Sequence, residues 1–193
     1  MNDREQLVIE WLNAVLPTPL IRMAPASSDA SFRRYFRVWH DSQTRIVMDA
    51  PPDKENCRPF VAIAHALRGL GLNAPEVLDG DLDQGLLLLT DLGSRQYLAE
   101  LNESSVPGLY GDALDALARL QTGGDPDSSL LPCYDTVLLQ REMALFSDWF
   151  LGRLLSLSPS EEANPMLDQT FVTLASNALE QPRVWVHRDY HSR

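Results

Sequence analysis

Val184, Trp185 and Val186 form a short apolar, β-prone run that delivers His187, Arg188 and Asp189 into a polar turn. A carboxylate at the mouth of a rigid strand suits one task well. It orients an incoming hydroxyl and accepts its proton while a phosphoryl group moves. Asp189 is the candidate for that base; an ordinary polar turn after an edge strand is the competing reading. A second stretch with chemistry in it runs from Ser27 through Ser28, Asp29 and Ala30 to Ser31. Its hydroxyls and backbone N–H groups could hold phosphate as glycine-rich loops do. It has no glycine, so a surface hairpin is the alternative there.

The elements that position these groups must come from 193 residues, enough for one large domain or two small ones. An apolar content of 45% supports a buried core. The net charge of −11 argues against a nucleic-acid partner, which needs a basic face, but leaves local nucleotide binding open. Cys57 and Cys133 lie far apart without metal spacing and read as two ordinary thiols in a reducing compartment. No apolar run reaches the ~20 residues that span a bilayer. The N-terminal segment carries Asp3, Glu5 and Glu10 in place of a basic leader. The expectation is a cytoplasmic protein away from membranes.

Taken in order, Asn2 and Glu5 suggest a capping box for a first helix. Its face is Val8, Trp11, Leu12, Val15 and Leu16, and Pro17 and Pro19 stop it. Strand candidates follow at Pro19 to Met23, Tyr35 to Trp39 and Arg45 to Met48, as an antiparallel meander. A helix from Pro59 to Leu70 presents Phe60, Ile63, Ala64 and Leu67. Two more strands, Glu76 to Leu78 and Leu86 to Leu89, flank an acidic turn. From Gly93 the pattern turns helical. Tyr110, Leu114, Leu117 and Ala118 mark one helix. Asp135 caps another, with Leu138, Leu145, Phe146, Trp149 and Phe150 on its inner side. Asn164 and Pro165 open a third, with Leu167, Phe171, Leu174 and Ala178 together. Arg183 begins a final strand. The composition shift divides the chain into residues 1–92 and 93–193.

A sheet-rich lobe, a hinge, a helical lobe and a His-Arg-Asp turn, in that order, resemble the protein-kinase-like fold, an α+β architecture. The details are most similar to the aminoglycoside phosphotransferase family. Leu87 to Gly93 looks like its hinge, and His187 to His191 like its catalytic loop. Longer blocks, Ser28 to Arg37, Ile46 to Pro52 and Tyr134 to Phe150, resemble the family's bacterial amino-sugar kinases, which act on the anomeric hydroxyl in cell-wall recycling. Aminoglycosides and small alcohols such as choline are the alternative acceptors. A kinase-like piece that catalyses nothing is the alternative class.

The resemblance implies ATP and Mg2+ as cofactors, a small-molecule sugar as partner, and a monomer. It puts adenine against the backbone at Thr90 and Leu92, and Ser28 and Ser31 over the phosphates. Asp189 becomes the base, His187 a brace for its loop, and Glu142 a ligand for sugar hydroxyls, with a solvated carboxylate as the alternative for Glu142. Two departures stand out. Kinases place a lysine on the third strand to grip the phosphates. Met48 and Asp49 stand there, so Arg33 or Arg34 would have to substitute. The metal-binding Asn of the kinase pattern would be the residue after Arg193. The resemblance therefore implies a C-terminally shortened chain, inactive as it stands, whose metal ligands are not among these residues.

Overall fold

The computed structural model describes residues 3–28 and 31–192, with Ser27 and Ser28 described in backbone only. The Asn2 cap lies outside the described residues. The chain divides into two compact units, Met1–Gly124 with His187–Arg193, and Asp125–Val186.

In the first unit, β1 (Leu20–Ser28), β2 (Arg34–His40), β3 (Gln43–Asp49), β4 (Val77–Asp81) and β5 (Leu86–Thr90) form one antiparallel sheet. The strand order is β1-β2-β3-β5-β4. β1 runs five residues beyond the expected end at Met23. Ala24 to Ser28 pair with Arg37 to Arg34, across an irregularity between Pro25 and Ser27. Pro25 has no N–H to give, and β1 is an edge strand, where such a residue is tolerated. Ser27 and Ser28 of the expected hydroxyl loop are therefore sheet.

Alternation sorts the side chains into two cores, because successive residues of a strand point to opposite faces. On one face Phe36, Val38, Val47, Leu86 and Leu88 pack under Val8 and Leu12 of α1 (Asp3–Val15) and Leu16 just after it. Trp11 packs against this core, as its spacing suggested. On the other face Met48, Leu87 and Leu89 meet Cys57, Phe60 and Val61 at the start of α2 (Arg58–Gly69). The run Leu86 to Leu89 is apolar throughout because both faces of β5 are covered.

α3 (Tyr97–Glu100) and α4 (Val106–Gly123) complete the first unit. The expected inner face of α4 is rotated. Tyr110 and Leu114 are exposed at 45% and 61%, while Leu120 is buried. The inward row is Leu109, Ala113, Leu117 and Leu120, at the 3–4-residue spacing of one helix stripe.

The second unit holds α5 (Thr136–Leu145), which continues as a π-helical stretch (Phe146–Leu154), and α6 (Ala163–Leu179). Asp135 caps α5 as expected, accepting the Leu138 N–H at 2.9 Å. The expected buried side is contradicted. Leu139 is buried, but Leu145, Phe146, Trp149 and Phe150 are 43–58% exposed. Widening the helix to π geometry rotates the later residues off the α5 stripe. On α6 the inner row is Leu167, Phe171 and Ala175; Leu174 is exposed.

The final strand at Arg183 to Val186 is not formed. A strand needs a ladder partner, and among the described residues none pairs with it. Its ends are held instead by Arg183 on Asp127 (2.9 Å) and by the Trp185 indole N–H on the Asp125 carbonyl (2.7 Å).

Candidate active site

The α2-side face of the sheet ends in a cleft of about 350 Å³. Tyr35 and Arg37 from β2, Ile46 from β3, Leu89 from β5 and Phe60 from α2 line it, and the segment Thr90 to Gly93 closes one side. One row crosses the floor: Arg37 lies opposite Ile46, and Ile46 opposite Leu89.

The wall from Thr90 to Gly93 is held in place at several points. Thr90 donates its N–H to the Glu76 carbonyl (3.0 Å), and its hydroxyl accepts the Glu76 N–H (2.9 Å). Asp91 accepts two bonds from Arg37, at 2.6 and 3.0 Å. It also accepts the Gly93 N–H at 2.9 Å. Arg37 reaches on to the Gly93 carbonyl at 3.0 Å. Gly93 has φ +88°, a conformation glycine adopts without strain. The Arg37 bonds hold the Asp91 carboxyl below the usual aspartate range despite its burial, with help from Gly93 N–H and Thr44; the Arg37 guanidinium is raised in turn. Leu92 is 53% exposed. Among the described residues nothing hydrogen-bonds its backbone N–H or C=O.

At the turn before β2, the Ser31 hydroxyl accepts from the Arg33 backbone N–H (3.2 Å) and from its Nε (3.0 Å). Phe32 N–H donates to the Glu55 carboxylate at 3.2 Å, so an anionic oxygen already sits on this turn's backbone. Asp29, Ala30 and the Ser28 side chain lie outside the described residues. Arg33 and Arg34 point to opposite sides. Arg33 lines a smaller cavity of about 260 Å³ with Asn56, Cys57 and Phe60, next to the cleft. Arg34 faces the α1 side and donates to Asp49 from Nε (3.0 Å) and Nη2 (2.5 Å).

Asp49 is fully buried there and also accepts from Arg4 of α1 at 2.8 Å; Arg4 in turn donates to the Gln84 carbonyl. Its charge is thus on the sheet face away from the cleft, and Met48 occupies the cleft-side core. Of the two candidate substitutes for lysine, the fold brings Arg33 to the cleft side and engages Arg34 elsewhere.

The turn His187 to Ser192 belongs to the first unit. Tyr190 donates its hydroxyl to the Ala113 carbonyl of α4 (2.6 Å), and Leu98 N–H reaches Ser192 O (2.9 Å). Burial, then the neighbouring Tyr97, raises the Tyr190 phenol. His187 packs edge-on against Tyr190 at 5.1 Å. Asp189 has an 84% exposed side chain and lies 3.4 Å from His191 Nε2. Arg188 adopts φ +71°, an uncommon conformation for a non-glycine residue. Neither His187 nor Asp189 lines the cleft. Glu142 is half-buried on α5 in the second unit.

Sequence reasoning missed Arg37 with Asp91, and Arg4 with Asp49. A signal existed for the first pair: Arg37 interrupts an aromatic and β-branched strand, where a charge needs a partner. For the second, nothing local ties Arg4 to a residue 45 positions away.

Among the described residues no group of three or more His, Cys, Asp or Glu could hold a metal ion. The Mg2+ that the resemblance implies has no such donor set among the described residues. No helix of the described residues is long and apolar enough to cross a membrane.

A five-stranded antiparallel sheet, a cleft at the exit of its last strand and helices after it make this a protein-kinase-like α+β fold. Residues 22–193 match the phosphotransferase enzyme family, and the chain belongs to that family. It is similar to the N-acetylmuramate/N-acetylglucosamine kinase of Pseudomonas aeruginosa, 44% identical over 95% of this chain and 56% of that protein. The kinase of the same name from Pseudomonas putida is 44% identical over 94% of this chain and 53% of its own length. That of Neisseria meningitidis serogroup B is 35% identical over 97% and 57%. The chain thus spans about half the length of the curated relatives it matches.

Proposed function

We propose that this chain supplies the nucleotide lobe and catalytic loop of an ATP-dependent kinase. Its acceptor is the anomeric hydroxyl of N-acetylmuramate or N-acetylglucosamine, in cell-wall recycling. The observation that carries the nucleotide half is the cleft beside exposed Leu92, whose N–H and C=O have no hydrogen-bond partner among the described residues. The sugar half rests on the likeness to kinases named for those sugars.

In this reading residues 1–92 are the nucleotide lobe and 93–193 the helical part. Adenine pairs with Thr90 C=O and Leu92 N–H. Ser28, Ser31 and Arg33 attend the phosphates, and Arg34 holds the root of β2. Asp189 orients the sugar hydroxyl and takes its proton as the oxygen bonds to the γ-phosphorus and the bond to the bridging oxygen of ADP breaks. His187 braces that loop, and Glu142 meets sugar hydroxyls. Cys57 and Cys133 are both free thiols, which fits a cytoplasmic site.

Labelled ATP, Mg2+ and either sugar, incubated with a chain of the relatives' full length, test this. Phosphorylated sugar is expected there, and none from residues 1–193 alone, which are about half that length. Asp189→Asn in the longer chain is expected to lower turnover by several orders of magnitude with ATP affinity retained. Transfer to an aminoglycoside or choline instead would refute the sugar assignment.

A further inference from the structure

We propose that Arg37 and Asp91 form a device that positions the purine edge, an inference that rests on the nucleotide reading of the cleft. The chain leaves β5 at Thr90 and runs through exposed Leu92. An exposed exit would normally be mobile, and a mobile donor must be ordered each time a base binds. Here the residue on each side of Leu92 is fixed. Asp91 is gripped by the forked guanidinium of Arg37 at 2.6 and 3.0 Å. Both backbone groups of Gly93 are engaged, its N–H by Asp91 (2.9 Å) and its C=O by Arg37 (3.0 Å).

The grip comes from far along the chain. Arg37 sits on β2, with β3 between it and β5. Its stem lies on the cleft floor beside Ile46 and its head on the cleft wall. One side chain therefore ties the floor to the wall. The pair is mostly shielded, with side-chain exposures of 22% and 6%, so water competes weakly for it. The bond to the Gly93 N–H sets the Leu92–Gly93 peptide plane, and the grip on the Asp91 side chain restrains the residue before it, so Leu92 is held between two fixed neighbours. Arg37 and Asp91 act through Leu92; they are positioning residues, not ligands.

Equilibrium dialysis of residues 1–193 with adenosine and with ATP tests the proposal, with circular dichroism and melting to verify folding. Arg37→Met is expected to weaken adenosine and ATP by the same factor, about tenfold or more, since the phosphate contacts are untouched. Arg37→Lys keeps the charge without the fork and is expected to recover only part of that affinity. Arg37→Met with Asp91→Asn together should be no weaker than Arg37→Met alone, because both act through one hinge. Arg58→Met, which breaks an exposed ion pair with Asp83 elsewhere in the unit, should leave both affinities unchanged.

A folded Arg37→Met chain with unchanged adenosine affinity overturns the proposal. If that variant does not fold, Asp91→Asn decides: it keeps an oxygen for Gly93 but loses the ion pair, and unchanged affinity in it is equally fatal. If the unsubstituted chain binds neither adenosine nor ATP, the nucleotide reading itself fails, and this inference with it.

Discussion

Arg33 and Arg34 are adjacent in the chain, yet Arg33 lines the cavity beside the cleft and Arg34 faces the α1 side, and that decides what each substitution costs. Arg33→Ala is expected to weaken ATP binding by ~1.5–3 kcal/mol, typical of hydrogen bonds to charged groups, with the melting temperature nearly unchanged. Arg34→Ala should do the reverse, since Arg34 shares Asp49 with Arg4. Asp49→Ala removes the common partner and is expected to cost about 3 kcal/mol of stability, as for other broken buried pairs. Urea titration beside ATP dialysis separates the outcomes; an Arg33→Ala chain with wild-type ATP affinity would leave the phosphates to backbone groups. Asp91 adds a pH dependence. Its folded value is depressed, so its contribution is present above the ordinary aspartate range and lost as pH falls through the lowered value. The stability difference between the native chain and Asp91→Asn should therefore shrink in acid, which melts recorded from neutral to acidic pH will show.

The strands and helices were legible where their own residues decide them. The α1 stripe of Val8, Leu12 and Leu16, the Asp135 cap and the buried run Leu86 to Leu89 all appear as their spacing predicted. Elements that depend on a partner were not legible. β1 grows to Ser28 because β2 offers a ladder, and Arg183 to Val186 stays irregular because no described strand does. The pattern after Asp135 predicts a 3.6-residue period throughout, whereas the shift to π geometry leaves Trp149 outward, where Arg153 covers its ring at 4.6 Å. Of the candidate site, the cleft wall at Thr90 and Leu92 was visible as a stretch, but which face each charge takes follows from pairing. One glycine sets a test at this scale. Gly85 has φ +68°, and a Cβ there would lie 1.9 Å from the Ala50 carbonyl oxygen. It also accepts the Ala50 N–H at 2.8 Å. Gly85→Ala is expected to cost on the order of 4 kcal/mol, the range of special backbone sites. Denaturant midpoints measure it, and a cost under about 1 kcal/mol would mean that the β4–β5 turn repacks freely.

Across the whole molecule the two units differ in how well they bury their apolar residues. The first has two cores on either side of a sheet. The second exposes Val137 and Leu154 at 73% and 71%, and Met166 at 71%. Large apolar side chains left this exposed promote association. Residues 1–193 are therefore expected to self-associate despite a net charge of −11, and light scattering at rising concentration will show it. A chain that stays monodisperse would contradict this. The core under α1 has a different consequence. It is closed by Leu86 and Leu88 of β5, and Arg4 bonds to Gln84, 80 positions later. During synthesis α1 emerges first and β5 long afterwards. A nascent chain can cover the apolar stripe of α1 only in part, with Phe36, Val38 and Val47, until that strand clears the ribosome, so this core closes later than the helix that roofs it is made.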